Sequence, residues 1–316
     1  MSYTTHSFQA HDGVDIYYYH WKQDIPKGII QIAHGLGEHA GRYIRFAELL
    51  QENGYEVYAN DHRVHGHSVK SKDFLGVYEG RNYFQDAIKD MHALAKIIGR
   101  EHPNEKIILF SHSMGAMISR QYVTEHNDHL KALILSGTGS FIKGIGDLGV
   151  MVSNTVKLFK GRKPSSNLLK KLLFDEFNKK FKPNRTKVDW ISSDENEVDI
   201  FDKDPLRIED FSVSMYVDIL KCSKQINRAK TFKDTPNDLP IYMFSGDQDP
   251  VGEMGKGVKK VANEFLKHGT SNLTLKIYPG GRHEMLNEVN REEVEKDLLN
   301  WLSTFQEKEV QPSNSL

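Results

Sequence analysis

Short apolar runs and longer amphipathic stretches alternate along this chain. Residues 14–21 (VDIYYYHW) are rich in β-branched and aromatic side chains and predict a strand. Apolar runs at 28–33 (GIIQIA), 55–60 (YEVYAN), 106–110 (KIILF), 130–136 (LKALILS), 241–246 (IYMFSG) and 273–278 (LTLKIY) predict further strands. Between them the period changes. A helix is expected over 43–53, where Phe46, Leu49 and Leu50 share a face and Asn53-Gly54 marks the stop. Ala87, Met91, Leu94, Ile97 and Ile98 recur at helical spacing over 83–100, and His102-Pro103 closes that segment. Further helices are expected over 116–126, 255–268 and 288–305, followed by a polar tail from Glu307. Apolar strands alternating with amphipathic helices imply an α/β fold with a mostly parallel central sheet flanked by helices. No internal repeat is visible at a period of roughly 20–50 residues.

The alternation breaks between about residues 139 and 230, which hold no clear buried strand. Leu169, Leu172, Leu173 and Phe177 repeat there at helical spacing among lysines, and an acidic stretch from Asp189 to Asp204 follows. The expectation is an inserted helical cap at 139–230, with 1–138 and 231–316 forming the α/β core. The insertion follows a strand directly, and the carboxyl ends of such strands are where α/β sheets bind ligands.

Composition narrows the function classes. With 316 residues, 38% apolar and 27% charged, the chain has ample material for one large core. A net charge of −1 gives no support to nucleic-acid binding. Cys222 is the one cysteine, which excludes an intrachain disulfide and fits a reducing compartment. The N-terminal MSYTTHSFQAHDG does not have the pattern of a signal peptide, and no apolar run is long enough to span a membrane, so a cytoplasmic location is expected.

Candidate chemistry sits at the strand ends. In SHSMGA (111–116) a strand meets a helix at Ser113, close to the G-x-S-x-G elbow that exposes a serine nucleophile, with Ser111 in place of the first glycine. The alternative is a serine that merely caps a helix. Acyl transfer by serine also needs a base, a group to orient it and N–H donors for the oxyanion. The glycine-rich loop 34–37 (HGLG) follows an early strand and can supply one donor; the N–H of Met114, next after the nucleophile, supplies the other. Two acids, Asp247 and Asp249, follow the strand at 241–246, where acids also form turns. His283 lies on a loop just past the last strand. The chain order serine, acid, histidine is that of an α/β nucleophile-elbow enzyme, and these signals together favour a nucleophile over a cap. The histidines of DHRVHGHS (61–68) could suggest a metal site, but they read more simply as a polar loop packed beside the elbow. His34 and His39 are an equally weak ligand pair, and the lysines of 157–187 are either a solvated face or a surface for anionic lipid.

HGLGEHAGRY (34–43), NDHRVHGHS (60–68), SHSMGA (111–116), SGDQDPV (245–251) and GGRHEMLNE (280–288) together resemble the monoacylglycerol lipase/lysophospholipase-like group of α/β-hydrolases, also classed with serine aminopeptidases. The resemblance runs from about residue 10 to 305 and implies the α/β-hydrolase fold with a cap. It implies Ser113 as nucleophile, Asp249 rather than Asp247 as the triad acid, and His283 as base. It places the oxyanion donors at the N–H groups of Leu36 and Met114. Two positions depart from the group: Ser111, and Val64 where D-H-R-G-H-G has glycine.

The expected function is a serine carboxylic ester hydrolase acting on a single-acyl-chain ester, such as a monoacylglycerol, a lysophospholipid or a simple carboxylic ester. No cofactor and no metal are expected. Peripheral contact of the cap with a lipid surface is a further expectation. The apolar segments FIKGIGDLGVMV (141–152) and LLKKLL (168–173) are expected to line an acyl tunnel, with Leu172 on its wall. The alternatives are a peptidase or amidase on the same fold, or a non-catalytic binding protein with an inert elbow.

Overall fold

The computed structural model describes residues 2–141 and 144–307. Its strands are β1 (Thr4–Gln9), β2 (Asp15–Trp21), β3 (Gly28–Ala33), β4 (Tyr55–Asn60), β5 (Ile107–His112), β6 (Leu130–Ser136), β7 (Ile241–Gly246) and β8 (Leu273–Tyr278). They form one sheet in the order β1-β2-β4-β3-β5-β6-β7-β8. β1 and β2 run antiparallel to their neighbours, and every pairing from β4 to β8 is parallel. The strand missing from the sequence pattern is β1. Its side chains are mostly exposed, so burial imposes no readable alternation on TTHSFQ.

The central strands are buried on both faces because alternate residues serve different cores. Ile29 of β3 and Leu109 of β5 face the cluster that contains Ile88 and Met91. Ile30, Ile32, Ile108 and Phe110 face the opposite cluster, which is closed by Phe46, Leu50, Val294 and Leu298. Helix α2 (Tyr83–Glu101) covers the first face, and α1 (Ile44–Glu52) with the C-terminal helix Arg291–Glu307 covers the second. Helix α3 (Met114–Glu125) begins two residues earlier than its apolar spacing indicates, so a single residue, Ser113, separates it from β5.

Between β6 and β7 the described residues form helices and turns and no strand of the sheet. Helix α4 (Ile145–Lys160) comes first, and helices Glu195–Asp202, Val213–Ile226 and Ala229–Asp234 follow shorter turns. Helix Val213–Ile226 joins the core face: Val213, Tyr216 and Val217 share a cluster with α2, and Asp218 Oδ2 accepts the Tyr83 N–H at 3.0 Å. Part of the insertion is therefore anchored on the sheet's helical layer. Among the described residues no helix is long and apolar enough to cross a membrane.

Candidate active site

The parallel strands bring their carboxyl ends to one edge, and the predicted residues meet there. Ser113 turns the chain from β5 into α3 with φ 51° and ψ −114°, a conformation that L-residues rarely hold without support. The support is visible on both sides. The Ser113 N–H donates to the Ser136 carbonyl at 2.9 Å, and its own carbonyl accepts the Met117 N–H at 3.1 Å. At Gly115 a Cβ would lie 2.2 Å from the Ala33 carbonyl oxygen, so only glycine lets α3 approach the end of β3. Ser111 is accommodated without strain: its side chain is fully buried and donates to the Ile134 carbonyl at 2.8 Å.

The loops after β7 and β8 bring acid and base together. Asp249 Oδ1 lies 3.0 Å from His283 Nδ1, with both side chains buried. Asp249 also accepts from Ser245 Oγ and from the Val251 N–H, each at 2.9 Å. Burial opposes charge on both partners. For Asp249 the imidazole and these donors outweigh it and hold the carboxyl below its usual range. For His283 the Asp249 carboxylate outweighs burial and lifts the imidazole above its ordinary value. Asp247 serves the backbone instead. Its Oδ1 accepts the Gly280 N–H at 2.8 Å and so ties the two loops together. His283 Nε2 is buried and has no hydrogen-bond partner among the described residues. It lines the same cavity as Ser113.

The loop after β3 is pinned from several directions. Gly35 donates its N–H to Glu38 Oε1 at 2.5 Å. His34 Nε2 accepts the His62 N–H at 2.9 Å, so its proton is on Nδ1, which donates to the Gly35 carbonyl at 2.7 Å. Burial, reinforced by His62 and His65, keeps the His34 ring neutral. Both ring nitrogens are thus committed to backbone and neither is free for a metal. The loop carrying His62 packs behind it, with ring centroids 4.3 Å apart. Val64, at the glycine-like position of that loop, holds φ 61°.

Sequence reasoning passed over several residues of this site. Arg42 forms a fork with Glu284, with both contacts at 2.7 Å, and reaches Glu38 Oε2 at 2.9 Å. All three are buried beside His283. His283 itself packs between His112, 4.7 Å away, and Trp190, 5.0 Å away. Burial and the neighbouring His283 push the His112 imidazole down to about 3. The Arg42 and Glu284 positions were already present in GRY and RHE, but nothing local says that residues 242 positions apart will pair.

The insertion roofs the site. Leu173, Phe177, Trp190, Ile191, Phe201 and Ile219 close a mostly apolar cleft of about 730 Å³ over Ser113, Leu36 and Met114. Leu173, not Leu172, is the leucine on this wall; Leu172 is 51% exposed. Among the described residues none of 141–152 lines the cleft; Ile142 and Lys143 lie outside the described residues. The roof is stitched to both loops below. The Glu284 N–H donates to Ile191 O at 2.7 Å, the Ile208 N–H donates to Gly37 O at 3.0 Å, and His39 pairs with Asp204 at 2.8 Å.

A model of the family described as "Serine aminopeptidase, S33" matches residues 24–290. The chain belongs to this family. Over 302 residues, 94% of this chain and 96% of the relative, it is 28% identical to a monoacylglycerol lipase of Mycolicibacterium smegmatis. Two solved structures are closely similar. A highly thermostable carboxyl esterase from Bacillus coagulans, in complex with glycerol, superposes with TM-score 0.89 at 29% identity, covering 96% of this chain and 99% of that one. A lipase in an open form superposes with TM-score 0.85 at 27% identity, covering 95% and 99%. The fold of this family member is that of the α/β-hydrolases, as the sequence motifs lead one to expect.

Proposed function

We propose that this α/β-hydrolase is a serine ester hydrolase that cleaves esters bearing a single acyl chain, among them monoacylglycerols, lysophospholipids and simple carboxylic esters. His283 Nε2 takes the Ser113 proton as the oxygen attacks the acyl carbon. The N–H groups of Leu36 and Met114 receive the oxyanion. His283 then protonates the leaving alcohol, and water releases the acid from the acyl-enzyme by the same path in reverse order. Asp249 holds the imidazole tautomer and stabilises its charged form.

The observation that carries this proposal is the buried Asp249–His283 pair, whose free Nε2 shares an apolar cleft with a serine on a strained turn. The cleft also supports the substrate class. Its roof is hydrocarbon, suited to one acyl chain, and the Glu38 and Glu284 side of the wall is polar, suited to a hydroxyl-bearing alcohol. The segment 139–230 acts as the cap, and the residues it places over the cleft support that role. Its outer face carries Leu158 and Phe159, 80% and 83% exposed, next to Lys157 and Lys160. That combination supports contact with an anionic lipid surface.

The test is labelling of the purified chain by a fluorophosphonate, followed by a monoacylglycerol chain-length series beside aminoacyl anilides. Labelling at Ser113 with ester turnover is expected. Labelling with anilide turnover alone would make it a peptidase or amidase, and an unreactive Ser113 would make it a binding protein.

A further inference from the structure

Arg120 has no part in the ester chemistry, yet it is fully buried on α3, two helical turns after Ser113. Among the described residues no carboxylate pairs with it, so its guanidinium has left water without gaining an opposite charge. Its partners lie at the two ends of the 139–230 insertion. Nη1 donates to the Gly139 carbonyl at 3.2 Å and reaches Thr138 Oγ1 at 3.5 Å, where the chain leaves β6. Nη2 donates to the Ile226 carbonyl at 2.8 Å and to Asn227 Oδ1 at 3.1 Å, where helix Val213–Ile226 ends. The last carbonyls of that helix carry partial negative charge and offset part of the guanidinium charge. The planar fork is what lets one side chain hold both segments. The Phe232 and Phe265 rings close the site, 5.3 Å and 5.9 Å from the guanidinium carbon.

The two stems differ in what else holds them. The outgoing stem is wedged against the core. A Cβ on Gly137 would lie 2.9 Å from His283 Cε1, and a Cβ on Gly139 would lie 2.4 Å from the Val251 carbonyl oxygen. That segment has no room to slide. The returning helix is fastened near its middle, where Asp218 accepts the Tyr83 N–H. The next residue, Ile219, lines the cleft. The helix then runs two more turns to Ile226, and Arg120 ties that end to the wedged stem.

We propose that Arg120 is a positioning residue for substrate choice: it locks the returning helix to the outgoing stem and so sets where Ile219 stands over the acyl chain. This rests on the reading of the cleft as an acyl site. Arg120 does not line the cleft, so it acts through the helix and not on the reacting atoms.

The test compares the full chain with Arg120→Met, Arg120→Lys and Asn227→Ala. Methionine fills much of the same space and removes the buried charge together with the fork, so this variant is expected to fold. Lysine keeps the charge as a single point that cannot span both segments. Asn227→Ala removes one arm only and leaves the backbone contacts, so it carries the test if either Arg120 variant does not fold. Melting temperature, kcat/KM over a p-nitrophenyl ester series from acetyl to decanoyl, and amide hydrogen exchange over 219–227 are measured on each. In both Arg120 variants exchange over 219–227 should quicken. Their kcat/KM on the decanoyl ester should fall by about tenfold, mostly through KM, while the acetyl value stays within about threefold, the scale of coupling for a residue remote from the site. Asn227→Ala should show the same pattern at smaller size. Equal losses on acetyl and decanoyl esters, or a lower melting temperature with an unchanged chain-length profile, overturn the proposal and make Arg120 a packing residue. A wild-type chain that turns over no ester ends the acyl reading and with it the claim on substrate choice. The exchange comparison then decides the lock alone, and unchanged exchange over 219–227 overturns that as well.

Discussion

His34 Nδ1 donates a hydrogen bond to the carbonyl of its own neighbour, Gly35, at 2.7 Å. That carbonyl and the Leu36 N–H belong to one peptide plane and, in a trans peptide, point in opposite directions. By holding the oxygen, His34 aims the N–H away from itself.

If Leu36 is an oxyanion donor, removing the peg should cost turnover more than binding. His34→Ala should lower kcat by about 10²- to 10³-fold, the value of one such donor, with a smaller change in KM. His34→Asn, whose amide can replace the Nδ1–H, should recover part of the loss. Steady-state kinetics on a soluble short-chain ester checks both. Equal changes in kcat and KM, or no recovery in the asparagine variant, would reduce His34 to a packing role.

The Asp249–His283 pair makes a pH prediction. If His283 is the base, it must be neutral to act, and the Asp249 carboxylate raises its pKa, so activity should fall on the acid side with a midpoint above the ordinary histidine value of 6.5. Asp249→Asn removes the charge that favours imidazolium and leaves the opposing effect of burial. The acid limb of the residual activity should move to lower pH, with kcat down by roughly ten-thousand-fold. Asp247→Asn should leave the midpoint where it is, because Asp247 bonds to Gly280 and not to the imidazole.

Chain-length preference should follow Leu173 and not Leu172. Each acyl methylene buried in the cleft is worth at most about 0.8 kcal/mol, or roughly fourfold. Leu173→Ser should flatten the rise of kcat/KM with chain length while sparing an acetyl ester. Leu172→Ser should leave the profile unchanged, since that side chain is half in solvent. The same p-nitrophenyl ester series run on both variants decides.

The Arg42–Glu284 fork should be worth stability. Burial by itself would raise the Glu284 pKa, but Arg42 holds it below the usual carboxylate range. A depressed carboxylate contributes stability that is present above its unfolded value near 4.5 and is lost as pH falls through the folded one. Glu284→Gln leaves Arg42 with Glu38 alone and should cost about 3–5 kcal/mol at neutral pH. The gap to wild type should narrow below about pH 4.5. Urea unfolding at a series of pH values measures it.

For the lipid surface, Phe159→Ser should weaken binding to anionic vesicles without changing hydrolysis of a soluble ester, because Phe159 is 83% exposed and is not among the residues lining the cleft. Vesicle co-sedimentation reads the first effect and a short-chain assay the second. Unaltered sedimentation would make the apolar outer face of α4 a site for something other than membrane.

Local chemistry determined most of the sheet. β3, β4, β6, β7 and β8 match their predicted runs to the residue; the first four are buried on both faces, which favours a near-continuous apolar run, while β8 at the sheet edge is only half-buried. Turn chemistry and chain order were equally local, so Ser113, Asp249 and His283 could be nominated from motifs and strand ends. Tertiary structure decided what no window of sequence contains. It set Asp249, which the motif resemblance had already singled out, against the imidazole, and Asp247 against the Gly280 N–H. It turned Leu173 inward and Leu172 outward, although both are leucines in one lysine-rich run. It left β1 at an edge where burial writes no pattern. It also brought Arg42 to Glu284 and Arg120 to Asn227, pairs whose members are distant in the chain. Such contacts depend on which strands lie side by side, and strand order is set by packing of the whole sheet, not by any single segment.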